Sequence, residues 1–121
     1  MMISRIAHAW LDYLSALVLI FAPWAFKFSN SDEATAVSVG SGFVVLLLSV
    51  ATKYEGGLYR RVSMSMHLNL DVFLGVFLIA SPWLFSFKDK VYLPHLVIGV
   101  IAIIAGLFTE RQSTTKQSSW Q

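Results

Sequence analysis

Polar and apolar positions divide the chain into four long apolar stretches separated by short polar ones. After Asp12 the next charged residue is Lys27, and no Asp, Glu, Lys or Arg occurs from Ala34 to Thr52, from Val72 to Ser86 or from Val91 to Thr109. Crossing the hydrocarbon of a bilayer takes roughly 20 residues at 1.5 Å each. The stretches therefore predict four membrane helices, at about 5–22, 34–52, 63–81 and 94–109. Pro23 disfavours helical backbone at Ala22 and places a boundary or a kink there, with Pro82 doing the same after Ser81. Gly56-Gly57 breaks the chain between the second and third helices, and Pro94 is a favoured first-turn residue for the fourth.

The first and third stretches are copies of one another. His8 to Phe28 reads HAWLDYLSALVLIFAPWAFKF and His67 to Phe87 reads HLNLDVFLGVFLIASPWLFSF, with 9 of 21 positions identical without gaps. Each copy has His, Asp four residues on, an apolar run, then Pro-Trp-x-Phe-x-Phe. The repeats extend over about 4–52 and 63–111, leaving a Ser/Thr/Gln-rich tail at 112–121 that reads as disordered. The same register sets Gly75 opposite Ala16, Gly99 opposite Gly40, and Ala36 where the second copy has His95. Small residues in the first half of the second helix (Ala34, Ala36, Ser38, Gly40, Ser41, Gly42), and the Ala102/Gly106 pair in the fourth, are expected to touch neighbouring helices, because close backbone approach drives packing in lipid.

Composition agrees. Of 121 residues, 56% are hydrophobic and 13% charged, about half the charged share of a soluble domain. Of the basic residues, Arg5, Lys53, Arg60, Arg61, Arg111 and Lys116 fall on one side and Lys27, Lys88 and Lys90 on the other, which puts both termini and the 53–62 loop in the cytoplasm. Scattered in loops, they form no nucleic-acid patch; Arg60-Arg61 would also meet anionic lipid. The absence of cysteine excludes thiol and disulfide chemistry. Arg5 before an apolar run imitates a signal peptide, but Asp12 interrupts it and the pattern recurs at 67–87, so the segment reads as a retained helix. Two helices per repeat give both copies the same orientation, hence a pseudo-twofold axis along the membrane normal.

Two constellations could carry chemistry. His8/Asp12 and His67/Asp71 are spaced i, i+4 and share a helix face. An ionised Asp at the bilayer centre costs roughly 2.5–3.5 kcal/mol and less near an interface, so each needs a partner. The copies predict His8 near Asp71 and His67 near Asp12, with Trp10, Tyr13, Ser65 and Asn69 as further partners. The quartet could relay protons, hold an ion or a divalent metal, or act as a catalytic pair; the reading preferred here is polar glue, with no catalytic residue, metal or cofactor. At the other end, Trp24, Phe26, Phe28, Trp83, Phe85 and Phe87 read as interfacial anchors beyond the helix-ending Pro23 and Pro82, with Tyr54 and Tyr59 at the opposite interface. Phe-x-Phe in an extended segment would put both rings on one side. A lipid-, quinone- or partner-binding surface is the alternative there. His95 reads as a solvated interfacial residue.

These residues resemble the SPW-repeat family of small integral membrane proteins, named for a Ser-Pro-Trp motif and commonly built of two tandem two-helix units. Ser81-Pro82-Trp83 matches the motif fully; the first copy has Ala22-Pro23-Trp24. The resemblance covers about residues 4–111. It implies a mostly bacterial integral membrane protein and no particular activity. The expected molecule is an all-α, integral membrane four-helix bundle of two tandem hairpins, multi-pass in the bacterial inner membrane. Its expected role is non-enzymatic, structural or partner-binding, with lipid, a second copy or another membrane protein as partner and no nucleic acid. The alternative is a proton- or ion-linked transport component using the quartet.

Overall fold

The computed structural model describes residues 2–52 and 62–109. Lys53, Tyr54, Gly56, Gly57, Tyr59, Arg60, Arg61, Arg111, Lys116 and the 112–121 tail lie outside the described residues. The fold is an all-α bundle of α1 (Arg5–Ala25), α2 (Asp32–Val50), α3 (Met64–Leu84) and α4 (Leu93–Phe108). Ser4 and Ser63 cap α1 and α3 identically, each side chain accepting from the backbone N–H three residues on, at 3.1 and 3.2 Å. Ser31 caps α2, whose first turn carries Asp32 and Glu33 at the positive end of the helix dipole. α1 to α3 are long and apolar enough to cross a membrane, whereas α4, at 16 residues, is shorter.

Each hairpin packs along its length, α1 on α2 and α3 on α4; α2 meets α3 and α1 meets α4 over much less surface. Close approach within a hairpin depends on glycine. A Cβ on Gly42 would lie 2.7 Å from Ile20 Cγ1 and 2.9 Å from the Ala16 carbonyl oxygen; one on Gly99 would lie 2.8 Å from Ile79 Cγ1 and 2.7 Å from the Gly75 carbonyl oxygen. Ile20 and Ala16 are the repeat mates of Ile79 and Gly75, so the mate of Gly99 is Gly42. Gly40 is exposed, with nothing within 4 Å of an added Cβ. This corrects the expected register. The copies are 59 residues apart along α1 and α3 but 57 apart along α2 and α4, because the second hairpin reaches its return helix two residues sooner. The same shift makes Ser38, not Ala36, the counterpart of His95. Of the small residues in α2, Ala34, Ser38, Ser41 and Gly42 are buried, and Ala36 and Gly40 are not.

The polarity of the bundle is inverted relative to a soluble protein. Its exposed surface carries Ile6, Trp10, Leu14, Leu17 and Phe21 on α1 and Met66, Leu70, Phe73 and Val76 on α3. Its buried residues include His8, Asp12, Ser38, Ser41, Thr52, His67, Asp71, Ser81, His95 and Thr109. An apolar exterior around a polar interior suits a lipid solvent, where polar groups must find partners inside the protein.

Substituting Gly99→Ala is expected to destabilise the protein by about 1–3 kcal/mol, since a backbone carbonyl cannot yield as a side chain can. Gly40→Ala is expected to be neutral or to stabilise by up to about 1 kcal/mol, since nothing meets the added Cβ and alanine is the better helix former. Denaturant unfolding in detergent checks the pair; equal effects would refute the corrected register.

Candidate functional site

The first polar cluster is built by helix geometry and repeat symmetry together. The i, i+4 spacing puts His8 and Asp12 on one face of α1 and His67 and Asp71 on the matching face of α3. The pseudo-twofold axis brings those faces together. His8 Nε2 lies 3.0 Å from Asp12 Oδ1 and 2.9 Å from Asp71 Oδ2. His67 Nε2 lies 3.1 Å from Asp12 Oδ2 and 3.2 Å from Asp71 Oδ2. The two Nε2 atoms are 3.3 Å apart, with the rings edge to face at 75°. All four side chains are buried.

The outer ring nitrogens are held by two threonines. His8 Nδ1 lies 2.7 Å from Thr109 Oγ1, and His67 Nδ1 lies 2.7 Å from Thr52 Oγ1. Thr52 donates its hydroxyl proton to the Leu48 carbonyl at 2.6 Å, so it accepts from His67 Nδ1–H. Each threonine belongs to the other hairpin. Each is fixed by a backbone bond beside it: Ile3 N–H to the Phe108 carbonyl and Val62 N–H to the Ala51 carbonyl, both 2.7 Å. The chain Thr109–His8–Asp12/Asp71–His67–Thr52 thus crosses between hairpins three times.

Thr52 and Thr109 are partners that the sequence pattern did not name, and the imidazoles rest on them; Trp10, Ser65 and Asn69 are exposed and Tyr13 is half-buried. The signal for the threonines was the 57-residue spacing, which carries Thr52 onto Thr109 as it carries Gly42 onto Gly99. Beside the carboxylates lies a cavity of about 20 Å³, lined by Asp12, Asp71 and Ser15 and otherwise by apolar side chains such as Leu11, Val45, Leu74 and Ile98.

The opposite end is organised by the prolines, and here two expectations fail. α1 and α3 do not stop before Pro23 and Pro82 but run on to Ala25 and Leu84. Proline has no N–H, so it leaves the carbonyl four residues back unpaired. Another donor takes it in each copy. Ser81 Oγ donates to the Leu78 carbonyl at 2.8 Å; in the first copy, where Ala22 replaces that serine, Ser38 Oγ on α2 reaches the Leu19 carbonyl at 2.6 Å. With the freed carbonyl satisfied, each helix gains another turn. It then closes on a left-handed residue, Lys27 (φ 63°) or Ser86 (φ 60°). Phe28 N–H and Phe87 N–H return to the Pro23 and Pro82 carbonyls at 2.8 Å, the bonding of a Schellman cap.

That reversal separates the two phenylalanines of each motif. Phe26 and Phe85 are 59% and 45% exposed, but Phe28 and Phe87 are 3% and 2% exposed. Phe28 and Phe87 are core residues, not interfacial anchors; Trp24, Trp83, Phe26 and Phe85 stay on the surface. Between the two buried rings sits His95, with ring centroids 5.5 Å from Phe28 and 4.9 Å from Phe87. It is fully buried and donates from Nε2 to the Ala34 carbonyl at 3.3 Å, which overturns the solvated reading. Its Nδ1 has no hydrogen-bond partner among the described residues. Two apolar grooves open on this half at equivalent places, one of about 540 Å³ along Val18, Phe26 and Val97, the other of about 480 Å³ along Phe77, Phe85 and Gly40.

An all-helical bundle with an apolar exterior and a buried ionisable cluster defines a membrane protein. A family model described as the SPW repeat domain matches residues 6–109, and the chain belongs to that family. No curated protein and no solved structure matches it.

Ser38→Ala is expected to lose about 1–3 kcal/mol of stability by leaving the Leu19 carbonyl unpaired. Adding Ala22→Ser, which rebuilds the local bond that Ser81 makes, is expected to restore most of it. Unfolding of the single and double variants in detergent checks this, and a double variant no more stable than Ser38→Ala would refute it.

Proposed function

We propose that this chain is a non-enzymatic, multi-pass module of the bacterial plasma membrane, in which the His8/Asp12/His67/Asp71 quartet clamps two hairpins into one unit. The carrying observation is that each imidazole lies within 3.2 Å of both carboxylates and 2.7 Å from a threonine of the other hairpin. Both nitrogens of each imidazole, both oxygens of Asp12 and Oδ2 of Asp71 face other groups of the cluster rather than a substrate. The adjoining cavity of about 20 Å³ takes a single water, whereas small-molecule sites run to about 300–1,000 Å³. The apolar residues around it also weigh against a polar path through the bundle, and so favour the clamp over a proton- or ion-linked transport component.

The orientation proposed has both termini and the quartet at the cytoplasmic side, resting on the six-to-three division of basic residues. Of the six, Arg5 is buried at the start of α1, and the other five lie outside the described residues. Trp24, Phe26, Trp83 and Phe85 then form an aromatic rim at the outer face, suited to headgroups and to a second copy or another membrane protein.

Asp12→Asn and Asp71→Asn, singly and together, separate the two readings. The clamp predicts a loss of about 3 kcal/mol for either single substitution, because imidazoles built around a carboxylate lose it while buried. It also predicts no proton flux above empty liposomes for the wild-type protein. Wild-type flux that the substitutions abolish without loss of thermal stability would overturn the clamp in favour of transport.

A further inference from the structure

The interior of the quartet has a feature that a clamp made only of hydrogen bonds does not explain. Thr52 commits its one hydroxyl proton to the Leu48 carbonyl, so the Nδ1 of His67 carries a hydrogen. In a neutral ring the other nitrogen then has only a lone pair, and Nε2 points that lone pair at Asp12 Oδ2 and Asp71 Oδ2. His8 Nδ1 lies at the same 2.7 Å from Thr109 Oγ1, with its Nε2 turned to the same carboxylates. One ligand atom from each of the four side chains lies within 4.8 Å of the others. Acceptors repel one another, so positive charge belongs at their centre.

We propose that His8, Asp12, His67 and Asp71 bind one divalent transition-metal ion of the zinc class, with Thr52 and Thr109 as outer supports. The proposal rests on reading the quartet as the inter-hairpin clamp and adds the ion that completes it. It departs from the sequence expectation of no metal, which lacked the convergence of the two Nε2 atoms.

One observation favours a metal over a pair of protons, and two more fit it. Two protonated rings would bring two N–H groups of like charge together at the 3.3 Å Nε2–Nε2 separation. Two nitrogens on one tetrahedral ion, each about 2.0–2.1 Å from it, lie about 3.3–3.4 Å apart. The four N···O separations run from 2.9 to 3.2 Å, with Asp71 Oδ2 shared by both rings and Asp12 turning Oδ1 to His8 and Oδ2 to His67. The charge balances with one dication, as it would with two protons: two carboxylates and two neutral imidazoles cancel it, leaving a neutral site in a low-dielectric region. Finally, a metal-bound imidazole characteristically gives its other N–H to a fixed acceptor that sets tautomer and ring angle. Thr52, itself tied to the Leu48 carbonyl, is such an acceptor. Imidazole with carboxylate suits zinc, and cobalt(II) takes the same geometry as a coloured probe.

The test uses the full-length protein in detergent, stripped with a chelator and titrated with Zn²⁺ or Co²⁺. The wild type is expected to take up one equivalent of either ion, to show the intense visible absorption of tetrahedral cobalt, and to unfold at a higher temperature when loaded. His67→Gln is expected to weaken binding at least 100-fold. Thr52→Val keeps all four ligands, and is expected to bind one equivalent about 10- to 100-fold more weakly; it keeps the test decisive if His67→Gln fails to fold. Binding unchanged in both variants, or no stoichiometric uptake by wild type, overturns the proposal. If uptake is absent while Asp12→Asn and Asp71→Asn still destabilise the protein, the metal falls and the clamp stands. If those substitutions change neither stability nor uptake, both fall.

Discussion

Between two helices in lipid there is no hydrophobic drive, because acyl chains are as apolar as leucine. Whatever joins the two hairpins must come from close packing or from polar groups that have no better partner. Within each hairpin, close packing suffices: Gly42 and Gly99 bring α2 and α4 almost onto the backbones of α1 and α3. Between hairpins the helices share less surface, and a polar cluster at each end joins them. At one end four ionisable side chains interlock, each imidazole spanning both hairpins. At the other, His95 of the second hairpin sits between Phe28 of the first and Phe87 of its own, and donates to Ala34 of the first. Leaving either cluster exposes buried polar groups to hydrocarbon, which makes separation costly.

The Pro-Trp segment solves a local problem that the clamps impose. Phe28 and Phe87 must turn inward to meet His95, so α1 and α3 must end in a sharp reversal. Proline near the last turn weakens the helix there but frees a carbonyl in an apolar setting. The Ser of Ser-Pro-Trp answers that carbonyl directly in the second copy. In the first, Ala22 cannot, and Ser38 does so from the facing helix. The two copies thus keep one hydrogen bond and change its donor. In the second, the position of Ser38 is free to become His95, the residue that ties the outer ends together.

Much of this was legible in the sequence, and the limits have physical causes. Uncharged runs gave four helices, and the i, i+4 spacing of His8/Asp12 and His67/Asp71 gave a shared face, since both follow from helix geometry. The cross-pairing followed from the repeat. Thr52 and Thr109 were hidden because the spacing between copies changes from 59 to 57 at the hairpin turns, and the pairs Gly42/Gly99 and Thr52/Thr109 that mark it compete with Gly40/Gly99 and Leu48/Leu107 at the old spacing. The helix ends were read three residues early because proline predicts a boundary only if nothing answers the carbonyl it frees, and Ser38 is distant in sequence. Phe28 and Phe87 were read as surface anchors because a left-handed cap at Lys27 or Ser86, without glycine, leaves no compositional mark.

The central claim is that the ionisable quartet couples one hairpin to the other. A double-mutant cycle between His8→Ala on α1 and Asp71→Asn on α3 measures that coupling, by denaturant unfolding in detergent. The two sites lie on different hairpins and touch only across the interface, at 2.9 Å. The account predicts an interaction energy of about 1–3 kcal/mol between them. Effects that add to within about 0.5 kcal/mol would contradict it.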